Sequence, residues 1–200
     1  GDIWGSQTIE QATAKVKQIK NTTTMKLTTP AKVLSIAGSD PSGGAGIQAD
    51  IKAITALGGY AATAITALTI QNTMGVESVF AAPSKVVADQ IRIVMEDIEP
   101  QAIKIGMVND AKIVRVISFA LNKYTPRYVV YDPVMVSTSG HRLIEDDTVE
   151  FIERELIPLT TLLTPNMHEA EVLWRKKILS TEDMKQAAEE LHRKYNTAIL

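Results

Sequence analysis

Residues 38–50 have the sequence GSDPSGGAGIQAD and lie between an apolar run at 33–37 and a helical pattern that begins near Ile47. Four glycines within nine residues let the backbone adopt positive φ angles and approach a ligand closely. N–H groups at the start of the following helix can bind polar or anionic atoms. The segment therefore predicts a strand, a glycine-rich bend and a helix, with a small-ligand site at the bend.

Two known glycine-rich motifs fit this segment poorly. A P-loop ends in Gly-Lys-Ser or Gly-Lys-Thr, and no lysine occurs between Gly38 and Asp50. Residues 44–49 match the degenerate dinucleotide fingerprint, but they lie beyond the strand, and no acid follows about 20 residues later, where a ribose partner belongs. A tight turn without a ligand is the remaining alternative.

Composition limits the class of protein. The chain has 200 residues, of which 45% are hydrophobic, which suits one globular domain with a substantial core. A net charge of −2 argues against nucleic acid and favours small molecules as partners. The absence of cysteine excludes disulfides and thiolate metal sites within this chain. Because no apolar run reaches the roughly 20 residues of a membrane span and the N-terminal residues lack the apolar core of a secretory signal, we expect a cytoplasmic protein without membrane contact.

Short apolar runs alternate with helical patterns along most of the chain. Strands are predicted at 33–37, 61–67, 102–105, 128–131 and 161–163, with a more exposed strand at 76–80, and helices at 47–57, 83–98, 110–123, 148–156, 167–174 and 181–195. This alternation predicts an α/β fold with a doubly wound, mostly parallel sheet and helices on both faces. Residues 197–200 resemble the opening of another strand, so the sheet is expected to be incomplete at the C-terminus.

Ligands of such sheets bind beyond the carboxyl ends of the strands, which directs attention to the polar residues there. Asp132 and Glu169 follow successive strands and could flank one Mg²⁺ ion. Gln71 offers the donor and acceptor needed to bind the edge of a heteroaromatic ring, and Met107 could pack on the ring face. Ordinary structural roles stay open for all of them, and Asn166 could simply cap the following helix.

Taken together, these residues resemble the hydroxymethylpyrimidine and phosphomethylpyrimidine kinase family of thiamine biosynthesis, within the ribokinase-like superfamily. The resemblance covers about residues 32–173. It rests on the motifs AGSDPSGGAGIQAD at 37–50, ITAL at 65–68, QNT at 71–73, KIGM at 104–107, DPVM at 132–135 and TPN at 164–166. The resemblance implies a ribokinase-like version of the fold predicted above.

The resemblance also implies a reaction and a set of site residues. The reaction is phosphorylation of 4-amino-5-hydroxymethyl-2-methylpyrimidine and then of its monophosphate, with ATP and Mg²⁺ as cofactors, in a homodimer. The implied residues are Gly38, Asp50, Gln71 and Met107 for the pyrimidine, Asp132, Asn166 and Glu169 for ATP, and Asp132 and Glu169 for the metal.

Two features depart from the family pattern. The family's glycine-rich anion hole, with the residue that activates the hydroxyl, is expected beyond Leu200, so no catalytic residue is assigned. If these 200 residues are the whole protein, they are expected to bind pyrimidine without efficient phosphoryl transfer. Residues 1–29 are expected to form an N-terminal extension or linker before a truncated kinase domain at 30–200. A pyridoxal or pyridoxine kinase and a non-catalytic pyrimidine-binding module remain as alternative functions.

Overall fold

The computed structural model describes residues 30–135 and 146–200. The predicted N-terminal extension at 1–29 lies outside the described residues. No helix among the described residues is long and apolar enough to cross a membrane.

Seven strands of the described residues form one sheet in the order β3-β2-β1-β4-β5-β6-β7. The strands are β1 (Lys32–Ser39), β2 (Tyr60–Asn72), β3 (Gly75–Ala81), β4 (Ala102–Ile105), β5 (Tyr128–Tyr131), β6 (Leu162–Leu163) and β7 (Ala198–Ile199). All neighbouring pairs are parallel except β2 and β3, which form an antiparallel hairpin. The chain runs outward from β1 to β3 and then returns past β1 to β4, which confirms the predicted doubly wound topology.

Six α-helices of the described residues connect these strands. They are α1 (Gly46–Ala56), α2 (Ser84–Asp97), α3 (Ala111–Tyr124), α4 (Asp146–Phe151), α5 (Met167–Trp174) and α6 (Thr181–Tyr195). The predicted helix at 148–156 changes its hydrogen bonding midway, because α4 continues as a π-helical turn at Ile152–Leu156 and a 3₁₀ turn at Ile157–Leu159. The other predicted helices are confirmed within a few residues.

Helices cover both faces of the sheet. Leu34 and Ile36 of β1 are fully buried in one core cluster with Ile91 of α2. Ser35 points to the opposite face, where its hydroxyl donates a hydrogen bond to Asp50 of α1 at 2.6 Å. Burial on both faces explains why residues 33–37 of β1 are apolar except for Ser35 and do not alternate with polar residues.

The β2–β3 hairpin is longer than predicted, since β2 continues from the predicted end at residue 67 to Asn72. Residues 67–72 pair with β3, and the register shifts between Ile70 and Gln71. The Asn72 side chain accepts a hydrogen bond from the Met74 N–H at 2.8 Å and closes the turn. Gln71 therefore lies at an irregular point inside a strand, beside the end of β1.

Candidate active site

A cavity of about 780 Å³ opens at the carboxyl ends of β1, β4 and β5, next to the β2–β3 hairpin. Its volume is typical of small-molecule sites. Its lining comes from the glycine-rich loop, from Asp50, from the hairpin tip that includes Gln71, and from Lys104, Gly106, Met107, Asp132 and Val134. The structure thus brings together five of the predicted site residues: Gly38, Asp50, Gln71, Met107 and Asp132.

Asp40 organises the glycine-rich loop. Its carboxylate accepts hydrogen bonds from the N–H groups of Ser42 at 2.8 Å, Gly44 at 3.0 Å and Ala45 at 2.8 Å, and from the Ser42 hydroxyl at 2.7 Å. Burial alone would raise the pKa of Asp40, but these hydrogen bonds outweigh it and lower the pKa. The N–H groups of Gly44 and Ala45, which precede α1, are therefore not available to a ligand, because Asp40 already accepts hydrogen bonds from them.

Gln48 also stabilises this loop through two side-chain hydrogen bonds. Its side-chain oxygen accepts from the Asp40 N–H at 2.9 Å, and its amide nitrogen donates to the Ser39 hydroxyl at 2.7 Å. Neither Asp40 nor Gln48 is among the site residues that the sequence predicts. An aspartate followed two residues later by Ser-Gly-Gly is the signal that could have found the Asp40 turn.

Two glycines let the loop approach the neighbouring strand. Gly46 has a φ of +56°, and a Cβ atom there would overlap the carbonyl oxygen of Gly38. A Cβ atom at Gly38 would lie 2.8 Å from Cε of Met107. A side chain at Gly46 would push the loop away from the backbone of β1, so this glycine is required for the shape of the cavity. A side chain at Gly38 would instead displace the flexible end of Met107.

Gln71 on β2 and Met107, two residues beyond the end of β4, flank β1 from opposite sides. The Thr69 hydroxyl is 3.1 Å from Oε1 of Gln71 and 3.0 Å from the carbonyl oxygen of Ser39, so it can donate to either. Met107 is 8% exposed, and its backbone carbonyl accepts a hydrogen bond from the buried Thr66 hydroxyl at 2.7 Å. An amide and a thioether therefore face the same cavity from fixed backbone positions.

Lys104 links the two acids that line the cavity. Its Nζ lies 3.1 Å from Oδ1 of Asp50 and 3.7 Å from Oδ2 of Asp132. Burial raises the pKa of Asp132, and although the positive charge of Lys104 opposes this, the negative charge of Asp50 adds to it. A Cβ atom at Gly106 would lie 3.0 Å from this Nζ, so the glycine leaves room for the amine.

The sequence assigns Lys104 no separate role, although the residue stands in the KIGM motif. The signal that could have found it is its position inside an apolar strand of a sheet covered on both faces. A charged group in such a strand has to be paired, and Asp50 and Asp132 are its partners here.

Asn166 and Glu169 do not line the cavity but form a capping box at the start of α5. The Asn166 side chain accepts from the Glu169 N–H at 3.0 Å, and Oε2 of Glu169 accepts from the Asn166 N–H at 2.8 Å. Oε1 of Glu169 accepts from the Met135 N–H at 3.4 Å. The capping role that the sequence left open for Asn166 is therefore confirmed, while the ATP-binding roles of Asn166 and Glu169 stay predictions.

Asp132 and Glu169 differ in how well their carboxylates could bind a divalent cation. The Asp132 side chain is 41% exposed, whereas Glu169 is 3% exposed and holds both oxygens in backbone hydrogen bonds. Burial raises the pKa of Glu169, and the negative charge of Asp132 adds to this effect. Within residues 30–135 and 146–200, no group of three or more His, Asp or Glu side chains is arranged to hold a metal.

A match to a family model shows which family this chain belongs to. The family model of phosphomethylpyrimidine kinase matches residues 40–200, which include the glycine-rich loop and the strand ends described above. The chain belongs to the phosphomethylpyrimidine kinase family.

Curated relatives agree with the family assignment. The chain is 44% identical over 168 residues to the hydroxymethylpyrimidine/phosphomethylpyrimidine kinase of Mycobacterium leprae, with 82% of this chain and 60% of that kinase covered. It is 46% identical over 161 residues to the thiamine biosynthesis bifunctional protein ThiED of Geobacter sulfurreducens, with 80% of this chain and 33% of that protein covered. The chain thus spans less than two thirds of the length of these relatives.

Solved structures confirm the fold. The crystal structure of phosphomethylpyrimidine kinase from Clostridium difficile has a TM-score of 0.78 and 46% identity, covering 84% of this chain and 73% of that chain. A pyridoxal kinase from Staphylococcus aureus, solved in complex with AMP-PCP and pyridoxal, has a TM-score of 0.75 and 35% identity, covering 86% of this chain and 61% of that chain. Both neighbours have the ribokinase-like fold, which is the fold that the sequence predicts for the present chain.

Proposed function

We propose that the protein transfers a phosphoryl group from ATP to the hydroxymethyl group of 4-amino-5-hydroxymethyl-2-methylpyrimidine, and then to the monophosphate that results. The observation that carries this proposal is the cavity at the strand ends, where the glycine-rich loop and Gln71 meet the acids Asp50 and Asp132. Membership of the phosphomethylpyrimidine kinase family supports the choice of substrate.

The pyrimidine side of the proposed site comprises Gly38, Asp50, Gln71 and Met107. The Gln71 amide can donate to a ring nitrogen and accept from an exocyclic amino group, which is the edge pattern of an aminopyrimidine. Met107 offers a polarizable surface for the ring face, and Gly38 allows the ring close to the backbone. A flat ring would be held at its edge and its face at once, which fixes the direction of the hydroxymethyl group.

The nucleotide side comprises Asp132, Asn166 and Glu169. The AMP-PCP complex of the Staphylococcus aureus pyridoxal kinase supports a nucleotide beside the heterocycle in this fold. Asp132 would hold Mg²⁺ directly, with Glu169 behind it, because carboxylate oxygens are the ligands that this cation prefers. When bound, Mg²⁺ neutralises charge on the phosphates of the nucleotide.

The residues of this chain would then act mainly by positioning. Phosphoryl transfer requires the attacking oxygen and the leaving oxygen to lie in line, and most of the catalysis comes from alignment and charge balance. Gln71 and the loop braced by Asp40 would orient the pyrimidine, and the acids at the ends of β5 and β6 would orient the charged partner. The homodimer that the resemblance implies stays a prediction.

The experiment that tests the function measures binding and product formation on the same protein. Calorimetric titration compares the pyrimidine alcohol with pyridoxine, and mass spectrometry detects phosphorylated product after incubation with ATP and Mg²⁺. We expect preference for the pyrimidine and, in the full-length protein, formation of its phosphate. Preference for pyridoxine would indicate a vitamin B6 kinase, and pyrimidine binding without any product would indicate a non-catalytic binding module.

A further inference from the structure

Among the described residues that line the cavity, Lys104 is the one basic side chain, whereas Asp40, Asp50 and Asp132 contribute three carboxylates. The charge of Asp40 is already balanced by the donors of its own loop. The charges of Asp50 and Asp132 face the cavity, and Lys104 is shared between them at 3.1 and 3.7 Å. The charge balance of the cavity wall therefore depends on one amine.

Lys104 can contact a ligand without leaving both acids. Its side chain is 24% exposed, and Gly106 leaves space around Nζ. An ammonium group has three donors, and Nζ of Lys104 forms an ion pair with Asp50 at 3.1 Å and a longer one with Asp132 at 3.7 Å, so a donor remains for a ligand. The loop N–H groups of Gly44 and Ala45, which could otherwise bind an anion, are held by Asp40.

The two proposed substrates of this site differ in charge. The alcohol is uncharged at its hydroxymethyl group, whereas a monophosphate carries between about −1.5 and −2 near pH 7. A phosphate beside Asp50 and Asp132 would be repelled by two negative charges unless a cation lay close to all three groups. Nζ of Lys104 is close to both acids and can provide that positive charge.

We infer that Lys104 determines specificity for the phosphorylated substrate: its ammonium group binds the phosphate of the pyrimidine monophosphate and contributes little to binding of the alcohol. The inference rests on the proposed function, since it assumes that both pyrimidines occupy this cavity. It extends that function by naming the residue that distinguishes the second substrate from the first.

The test compares the affinities of both pyrimidines for the wild-type protein and for Lys104→Met by calorimetry in buffer with EDTA, so that no metal bridges the phosphate. We expect Lys104→Met to lower the affinity for the monophosphate by about tenfold or more, and the affinity for the alcohol by less than about threefold. Lys104→Arg keeps the charge and should retain most of the monophosphate affinity. Lys85→Met, which removes a solvent-exposed lysine on α2, is the matched control and should change neither affinity.

Salt dependence supplies a measurement that needs no variant. Because the proposed contact joins opposite charges, the monophosphate affinity of the wild-type protein should fall between 50 mM and 500 mM salt, roughly in line with ionic screening, while the alcohol affinity stays nearly constant. This readout keeps the inference testable if Lys104→Met does not fold.

Several outcomes would overturn the inference while leaving the proposed function intact. An equal loss of affinity for both ligands in Lys104→Met would show that Lys104 only stabilises the positions of Asp50 and Asp132. Unchanged monophosphate affinity in Lys104→Met would place the phosphate elsewhere. Wild-type protein that binds only the alcohol would overturn the inference together with the second phosphorylation in the proposed function. Wild-type protein that binds neither pyrimidine would instead refute the proposed function, and the inference with it.

Discussion

Among single residues, Asp40 fixes the loop that forms one wall of the cavity. The hydrogen bonds from Ser42, Gly44 and Ala45 lower the pKa of Asp40 from its ordinary value of 3.8, against the opposing effect of burial. Since the folded pKa lies below the unfolded pKa, the ionised carboxylate stabilises the fold. This contribution is fully present above the unfolded pKa and is lost as the pH falls through the folded pKa.

We therefore predict that Asp40→Asn reduces the pH dependence of stability in acid. The free energy of unfolding of the wild-type protein should fall more steeply below about pH 4 than that of Asp40→Asn, because the variant has no carboxylate to protonate. Urea unfolding at a series of pH values measures both slopes. Equal slopes would show that the loop hydrogen bonds to Asp40 do not stabilise the folded state.

Gln71 carries the predicted recognition of the ring edge. Gln71→Ala removes a donor and an acceptor together, so we expect pyrimidine binding to weaken by about 1 to 3 kcal/mol. Calorimetric titration with the pyrimidine alcohol measures the change. Gln186→Ala on α6, far along the chain from the cavity residues, is the control, and equal affinities of the two variants would move the ring away from Gln71.

Glu169 provides a test of the metal prediction that leaves the helix cap in place. Glutamine at this position can still accept the hydrogen bond from the Asn166 N–H, and capping boxes accept Gln as well as Glu. We expect Glu169→Gln to require more Mg²⁺ for AMP-PCP binding, while pyrimidine affinity changes little. The melting temperature should fall modestly, because the amide nitrogen cannot accept the hydrogen bond from the Met135 N–H. An unchanged Mg²⁺ requirement would limit Glu169 to its role in capping α5.

At the scale of elements, the connection from β1 to α1 depends on Gly46, where a positive φ coincides with contact to the Gly38 carbonyl. Gly46→Ala should destabilise the protein by more than the roughly 1 to 2 kcal/mol of a strained left-handed residue, and should weaken pyrimidine binding. Gly58→Ala is the matched control, because Gly58 has a φ of +81° with no atom within 4 Å of its added Cβ. Thermal unfolding and calorimetry compare the variants, and equal effects would contradict the proposed close contact.

The elements themselves could be predicted from hydrophobic periodicity, because burial on both faces makes residues 33–37 and 102–105 apolar except for Ser35 and Lys104. The extension of β2 to Asn72 could not, since it depends on pairing with β3 rather than on the pattern of β2. The capping box at Asn166 was open to prediction from Asn-x-x-Glu spacing, and the structure confirms that local signal. Local sequence thus defines the elements better than it defines their ends.

Across the whole molecule, the sheet order assembles a site from segments far apart in the chain. Because β1 lies between β2 and β4, the glycine-rich loop meets Gln71 on one side and Lys104 with Met107 on the other. The strand-end rule predicted this meeting of Gly38, Gln71, Met107 and Asp132. It could not show that Lys104 bridges Asp50 and Asp132, nor that Asp40 occupies the loop donors, because both depend on side-chain geometry across several elements.

The most direct test of the account is a crystal structure of the protein with 4-amino-5-hydroxymethyl-2-methylpyrimidine. We predict electron density for the ring between Gln71 and Met107, with its hydroxymethyl group directed toward Lys104 and Asp132. Density for the pyrimidine at any other surface, with the cavity beside Gln71 filled only by solvent, would contradict it.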